Sequence, residues 1–272
     1  MLQQEAPVYA REEWVAASRF EPCSDDDVLR LVEDRVRDEM AQHVGSEFLP
    51  VVIFDLDSTL YEVQPRTFAI IQEWLAARDS AAVVPKVRSK VAGLTCDQLR
   101  YSINDALQAA GLDNDDAATR AAADSLKQFW SQRFFRSDYL HFDRPYAGAM
   151  PYATKLYDMG CQIIYLTGRD EPQMGDGTRA MLTRDGFTLN GKRAKLMLKP
   201  NFEMDDQAFK RVAVETISAM GPVVASFENE PLNFVTLQKL LPNTVHVFVD
   251  TICSDRPASP ADSAYRVGGF IG

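Results

Sequence analysis

At 272 residues the chain has enough material for one large or two modest domains with a substantial core. A formal charge of −10 speaks against an extensive nucleic-acid or anionic-membrane surface, although a local basic pocket stays open. No apolar run reaches the length that spans a bilayer, and the start MLQQEAPVYAREEW lacks the basic-then-apolar order of a secretory signal. Cys23, Cys96, Cys161 and Cys253 are scattered without a CxxC pair, which reads as reduced thiols in a cytoplasmic protein. With His43, His141 and His246 equally dispersed, a zinc site is not expected.

The stretch before about Glu47 reads as a helical extension. Ser24 and Asp27 form a capping box, and Val28, Leu31, Val32, Val36 and Met40 follow at helical spacing. Such a stripe covers either the domain that follows or a second subunit, as in a homodimer; the following domain is the simpler partner. Next comes VVIFDLDSTL, residues 51–60. Its β-branched opening reads as a buried strand that runs into Asp55, Asp57, Ser58 and Thr59. A plain Asx turn would employ one carboxylate and leave the second unexplained. Side chains two apart share a face, so Asp55 and Asp57 are expected side by side at the edge where open α/β sheets bind ligands. Two close carboxylates repel unless a cation or a shared proton relieves them, which points to metal binding or acid–base work.

From Tyr61 to Asp143 the pattern is helical throughout. Phe68, Ile71 and Leu75 mark one helix. Thr95 and Gln98 make a capping box ahead of Leu99, Ile103 and Leu107, with Gly111 closing that helix. Leu126, Phe129, Trp130 and Phe134 line a third, and read as the insert's own core. The αβ alternation then resumes. A helix within 145–160 precedes a strand at Gln162–Leu166, followed by Thr167, Gly168 and Arg169. That exit is either an ordinary turn or a phosphoryl-binding loop, in which the Thr167 hydroxyl and adjacent backbone N–H groups meet phosphoryl oxygens. Further on, a helix is expected at 178–186, a short strand at 194–198, and a helix at 205–220 with Phe209, Val212, Ile217 and Met220 inward. A strand at 223–227 then ends in Glu228, Asn229 and Glu230, and a last strand covers 245–249. The expected organisation is an N-terminal helical extension (1–46), an α/β core (47–62 and 143–272) and a helical insert (63–142).

DLDST is similar to the first motif, DxDx(T/S), of the haloacid dehalogenase-like (HAD) superfamily, most of whose members are aspartate-dependent phosphohydrolases. LTGR at 166–169 resembles its second motif. The lysine of the third resembles either Lys199, in LKP, or Lys210, in DDQAFKR. Lys210 is preferred because its separation from Asn229, 229 − 210 = 19, suits one helix and a return strand. FENEPLN resembles the fourth, with Asn229 where the family usually has a metal-binding aspartate and Glu228 as the neighbouring anion.

The resemblance implies a Rossmann-like three-layer α/β fold with a mainly parallel sheet and a helical cap that closes over the site and chooses the substrate. It implies a Mg²⁺-dependent phosphomonoesterase acting on a small phosphorylated substrate through an aspartyl-phosphate. Asp55 is then the nucleophile, Asp57 the acid–base, and Thr167 and Lys210 the phosphoryl-binding pair. Ser58, Gly168, Arg169 and Lys199 become candidate phosphate contacts, and Asp55, Asp57, Glu228 and Asn229 candidate metal ligands. Dehalogenases of the superfamily lack an acid at the position of Asp57, so its presence favours the phosphatase form. A phosphomutase shares these motifs, and a catalytically weak binding protein of the same fold is the rival from another class.

Overall fold

A strand whose every residue is apolar is stable only where both of its faces are covered. All four residues of β1, Val51–Phe54, are buried, and β1 lies in the middle of a six-stranded sheet whose strands run in the order Ala194–Lys199, Gln162–Asp170, Val51–Phe54, Val223–Glu228, Val245–Val249 and Tyr265–Val267. Each neighbouring pair in that sheet is parallel. The computed structural model describes residues 7–42, 45, 48–78, 80, 83–112 and 116–271. His43 and the expected boundary at 46–47 lie outside the described residues.

In chain order, helices α1 (Arg11–Ala17) and α2 (Asp25–Gln42) precede β1, and β2 (Tyr61–Glu62) follows it. Then come α3 (Gln64–Ala76), α4 (Pro85–Ala92), α5 (Ile103–Ala109) and α6 (Ala117–Phe134), and the short strand β3 (Arg144–Pro145). The alternating part continues with α7 (Ala149–Asp158), β4 (Gln162–Asp170), α8 (Glu171–Arg184), β5 (Ala194–Lys199) and α9 (Asp206–Ser218). It ends with β6 (Val223–Glu228), α10 (Pro231–Leu240), β7 (Val245–Val249) and β8 (Tyr265–Val267).

The chain forms two compact units. One comprises Met1–Tyr61, Pro145–Pro172 and Leu182–Gly272; the other comprises Glu62–Arg144 and Gln173–Met181. The first is a three-layer α/β fold. Val51, Ile53, Ile164 and Leu166 on one face of the sheet pack with Phe209 and Ile217 of α9 and Leu237 of α10. On the other face Phe54 stacks on Phe227 at 4.7 Å and meets Tyr152 of α7 edge-on at 6.5 Å. The Tyr152 hydroxyl donates to the Leu29 carbonyl of α2 at 3.0 Å, so α2 is held on its own sheet. The Ser24–Asp27 box opens that helix as its sequence indicates, the Asp27 N–H donating to Ser24 Oγ at 3.2 Å.

Several expectations are corrected. In α9, Val212 is 55% exposed while Lys210 is 1% exposed. The buried stripe runs through Phe209, Ala213 and Ile217, one turn apart, with Lys210 and Val214 beside it. The Thr95–Gln98 box caps only a 3₁₀ turn, and α5 starts later with a box of its own at Ser102 and Asp105. Helix α8 begins at Glu171, through two glycines that lowered its apparent propensity. Strand β8 was hidden in the Asp-, Ser- and Pro-rich tail; it pairs with β7 because Val247–Val249 offer it a free edge.

The helical unit has its own core, built from Ile71, Trp74, Leu99, Leu107 and Leu126 among others. Within it Arg66, at the start of α3, forks onto Asp143 at 2.8 and 2.7 Å, both side chains fully buried. That pair joins the first and last turns of the insert.

Candidate active site

The site lies at the carboxyl ends of β1, β4 and β6. There the chain leaves a covered strand and its backbone groups stop being used by the sheet. Asp55 follows β1 directly, and its N–H still donates to the Phe227 carbonyl of β6 at 3.0 Å. Asp55 as a whole is 7% exposed. Lys210 Nζ is 3.5 Å from Asp55 Oδ1 and is held more closely by Glu228 Oε2. Thr59 Oγ1 lies 3.1 Å from Asp55 Oδ2 and 3.0 Å from Asn229 Oδ1, so one hydroxyl sits between the two candidate metal-binding oxygens.

The electrostatics are those of an anion-rich pocket. Burial pushes Asp55 well above the usual carboxylate range, and the charges of Glu228 and Asp57 add to the shift against the opposing pull of Lys210. Burial alone would lower Lys210, but Glu228 and Asp55 more than offset it and its value rises. Each cation is therefore claimed by an anion: Lys210 by Glu228, and Arg169 by Asp57. Three carboxylates, Asp55, Asp57 and Glu228, thus meet two cations.

Asn229 has an orientation that the sequence does not show. Its Nδ2 donates to the Ile252 carbonyl at 2.6 Å, which only the amide nitrogen can do, so Oδ1 is turned toward Thr59 and Asp55. Glu228, expected to make up for the missing aspartate charge, is used otherwise. Its Oε2 grips Lys210 and its Oε1 accepts the Glu230 N–H at 3.0 Å. Asn229→Asp should consequently lower stability without metal, because a carboxylate oxygen would face the Ile252 carbonyl and the charge of Asp55. A cost of about 1–3 kcal/mol is expected. The same variant should gain more from added Mg²⁺ than wild type does. Thermal melts with and without Mg²⁺ check this, and an equal Mg²⁺ response in both proteins would refute it.

The remaining candidates are placed as follows. Thr167 is 1% exposed, and its Oγ1 accepts the Arg169 N–H at 3.3 Å, leaving its own proton available for an oxygen ligand. At Gly168 a Cβ would lie 3.1 Å from Asp206 Oδ1, so the glycine makes room for a carboxylate of this chain. Ser58 adopts φ +60°, its N–H donates to the Tyr61 carbonyl at 2.8 Å, and its own carbonyl accepts the Thr251 hydroxyl. Its N–H is spent within the turn and is not offered to a phosphate. Lys199 is paired with Asp206 at 2.9 Å and donates to the Met204 carbonyl at 3.0 Å. Asp57 lies in the turn after β1, bridged to Tyr61, and not on the strand itself. Arg169 grips it from two nitrogens. From the sequence alone Thr59, Asp206 and Ile252 carry no assigned role. Thr59 stood within the first motif, whereas the other two carry no local signal.

Among the described residues no three His, Cys, Asp or Glu side chains gather to hold a metal ion. A cation would rest on the Asp55 carboxylate and the Asn229 amide oxygen, completed by main-chain oxygen and water. Oxygen donors with a surplus negative charge suit a hard divalent cation.

The haloacid dehalogenase-like hydrolase family matches residues 49–201, more than half of the chain. The chain belongs to that family. The match includes Asp55, Asp57 and Thr167 and stops before Lys210, Glu228 and Asn229. No curated protein sequence matches this HAD-like hydrolase. Among solved structures it is similar to one described as a predicted phosphoglycolate phosphatase from Haemophilus somnus, at 12% identity and a TM-score of 0.48 over 83% of this chain and 96% of that one. It is also similar to Protein Tyrosine Kinase A of Mycobacterium tuberculosis, at 17% identity and 0.43 over 80% and 95%. A third is a haloacid dehalogenase-like family hydrolase from Streptococcus pneumoniae, at 10% identity and 0.41 over 73% and 83%.

Proposed function

We propose that this HAD-like hydrolase is a Mg²⁺-dependent phosphomonoesterase that acts on a small phosphorylated substrate through an aspartyl-phosphate. The observation that carries this reading is the buried Asp55 carboxylate at the end of the central strand, with Lys210 at 3.5 Å. A phosphate monoester is already anionic, so a carboxylate attacks it only where that charge is offset. Asp55 and Asn229 would hold the cation, with the Asp57 main-chain carbonyl as a further donor. Bound there, Mg²⁺ supplies the positive charge that brings carboxylate and phosphate together.

The chain's own residues do the rest. An Asp55 oxygen attacks phosphorus while the bond to the leaving oxygen breaks, and Asp57 delivers a proton to that oxygen. Asp57 then takes a proton from the water that attacks the aspartyl-phosphate, which returns Asp55 and frees inorganic phosphate. Lys210 and the Thr167 hydroxyl stabilise the phosphoryl oxygens as charge shifts onto them.

No helix is long and apolar enough to cross a membrane among the described residues. The four cysteines are all free thiols, which supports our reading of a cytoplasmic protein. Phosphate release from a panel of phosphorylated metabolites with Mg²⁺ tests the function. We expect turnover that EDTA abolishes and Mg²⁺ restores. Turnover indifferent to EDTA would remove the metal from the scheme, and no release from any monoester would remove the phosphatase reading.

A further inference from the structure

Arg169 was a candidate contact for the substrate's phosphate, but its surroundings describe a different task. Its Nε donates to Asp57 Oδ2 at 3.0 Å and a terminal nitrogen donates to Asp57 Oδ1 at 2.6 Å. Both carboxylate oxygens are therefore engaged by one planar fork, which sets the plane of the carboxylate as well as its position. The Arg169 side chain is 1% exposed, whereas that of Asp57 is 35% exposed. The carboxylate thus faces outward and the guanidinium lies behind it.

The backbone on either side is fixed as well. Asp57 bridges to Tyr61 within its turn, and the next residue, Ser58, is held in the left-handed region with its carbonyl taken by Thr251. Arg169 sits near the end of β4, whose register with β1 pairs Phe54 with Tyr165. It stands four residues past Tyr165 and Asp57 stands three past Phe54, so both lie toward the carboxyl edge of these neighbouring strands.

We propose that Arg169 is a positioning residue that aims the Asp57 carboxylate at the oxygen of the attacking water, from which it takes the proton, and that it is not a binder of the substrate's phosphate. This rests on the assignment of Asp57 as the acid–base. A proton donor or acceptor works only within hydrogen-bond reach of its target, and misplacement by about 1 Å costs on the order of 10²-fold in rate. Arg169 sets that reach. A lysine cannot replace it, because an ammonium offers a point charge where the carboxylate is gripped by a fork.

The experiment compares wild type, Arg169→Gln, Arg169→Lys, Asp57→Asn and the Asp57→Asn/Arg169→Gln double variant, with p-nitrophenyl phosphate as substrate and inorganic phosphate as competitive inhibitor. We expect Arg169→Gln to lower kcat by roughly 10²-fold. The inhibition constant for phosphate should stay within about twofold, since phosphate does not reach the guanidinium. Arg169→Lys should recover only a small part of the loss. The double variant should be no slower than Asp57→Asn alone, because Arg169 then has nothing left to aim. A rise of tenfold or more in the inhibition constant with kcat little changed would assign Arg169 to phosphate binding and overturn the proposal. Additive losses in the double variant would overturn it too.

The stability of the same four variants, measured by thermal melting, separates this from the phosphatase assignment. If wild type turns over no phosphate monoester, the assignment of Asp57 falls and the role of Arg169 with it, whatever the melts show. If wild type is active but the melts show no coupling between residues 57 and 169, the pair does not form in solution and only the positioning role fails.

Discussion

Asp55→Asn is expected to reduce phosphate release by roughly 10⁴-fold or more while leaving the fold intact. The amide keeps the size of the carboxylate but supplies neither a nucleophile nor the charge that holds a cation. Stability should move the other way. In the folded chain burial and the nearby charges of Glu228 and Asp57 raise the Asp55 value above its unfolded one. A raised carboxylate favours folding while protonated, and that contribution is lost as pH rises through the folded value. Metal-free wild type should therefore lose stability as pH climbs through that range, and Asp55→Asn should not. Circular dichroism melts across pH, run beside the activity assay, read both effects. Substantial residual turnover would defeat the nucleophile assignment, and a parallel pH slope in the variant would defeat the electrostatic one.

Lys210→Ala should be the second most damaging change, and for two separable reasons. Catalysis loses the cation facing Asp55 and the phosphoryl oxygens, which is expected to cost on the order of 10²–10³-fold or more. The fold loses the partner of Glu228, a side chain only 1% exposed. Leaving one member of a buried pair uncompensated costs about 3–5 kcal/mol, on the order of 10 °C in a chain of this size. A Lys210→Met/Glu228→Gln variant separates the two reasons. With both charges gone the melting temperature should recover, while activity should not. Lys199→Ala, which breaks a partly exposed pair with Asp206, should be the milder change in both assays. A crippled Lys199→Ala with an active Lys210→Ala would reverse the assignment of the two lysines.

The sheet was legible because its signal is local. Val51–Phe54 and Gln162–Leu166 are short β-branched runs that end at Asp, Thr and Gly, and a parallel sheet buries such runs on both faces. Helices α3 and α6 are legible in the same way, through their 3.6-residue period. Where the reading slipped, a weaker local signal competed with a tertiary one. Helix α8 runs through Gly175 and Gly177, and a Cβ at Gly177 would fall 2.6 Å from the Ser137 Cα. Close packing there outweighs propensity. Lys210 in turn faces inward against the ordinary preference of lysine, since Glu228 and Asp55 wait at the far side of its helix.

The sequence by itself determined which groups are available: an Asp pair at a strand end, a threonine at the next, a lysine on a later helix, and an amide where an acid is usual. Those identities point to metal binding or acid–base work, and their order resembles the motifs of the HAD-like hydrolases. Only the tertiary structure decided how the groups pair. Glu228 could have served a metal or a lysine, and Arg169 a substrate or Asp57, and each choice turned on which strands lie side by side. The strand order puts β4 and β6 on either side of β1, so residues more than a hundred positions apart come within hydrogen-bonding distance. A buried charge must be matched by whichever opposite charge the fold places next to it. No local pattern carries that information.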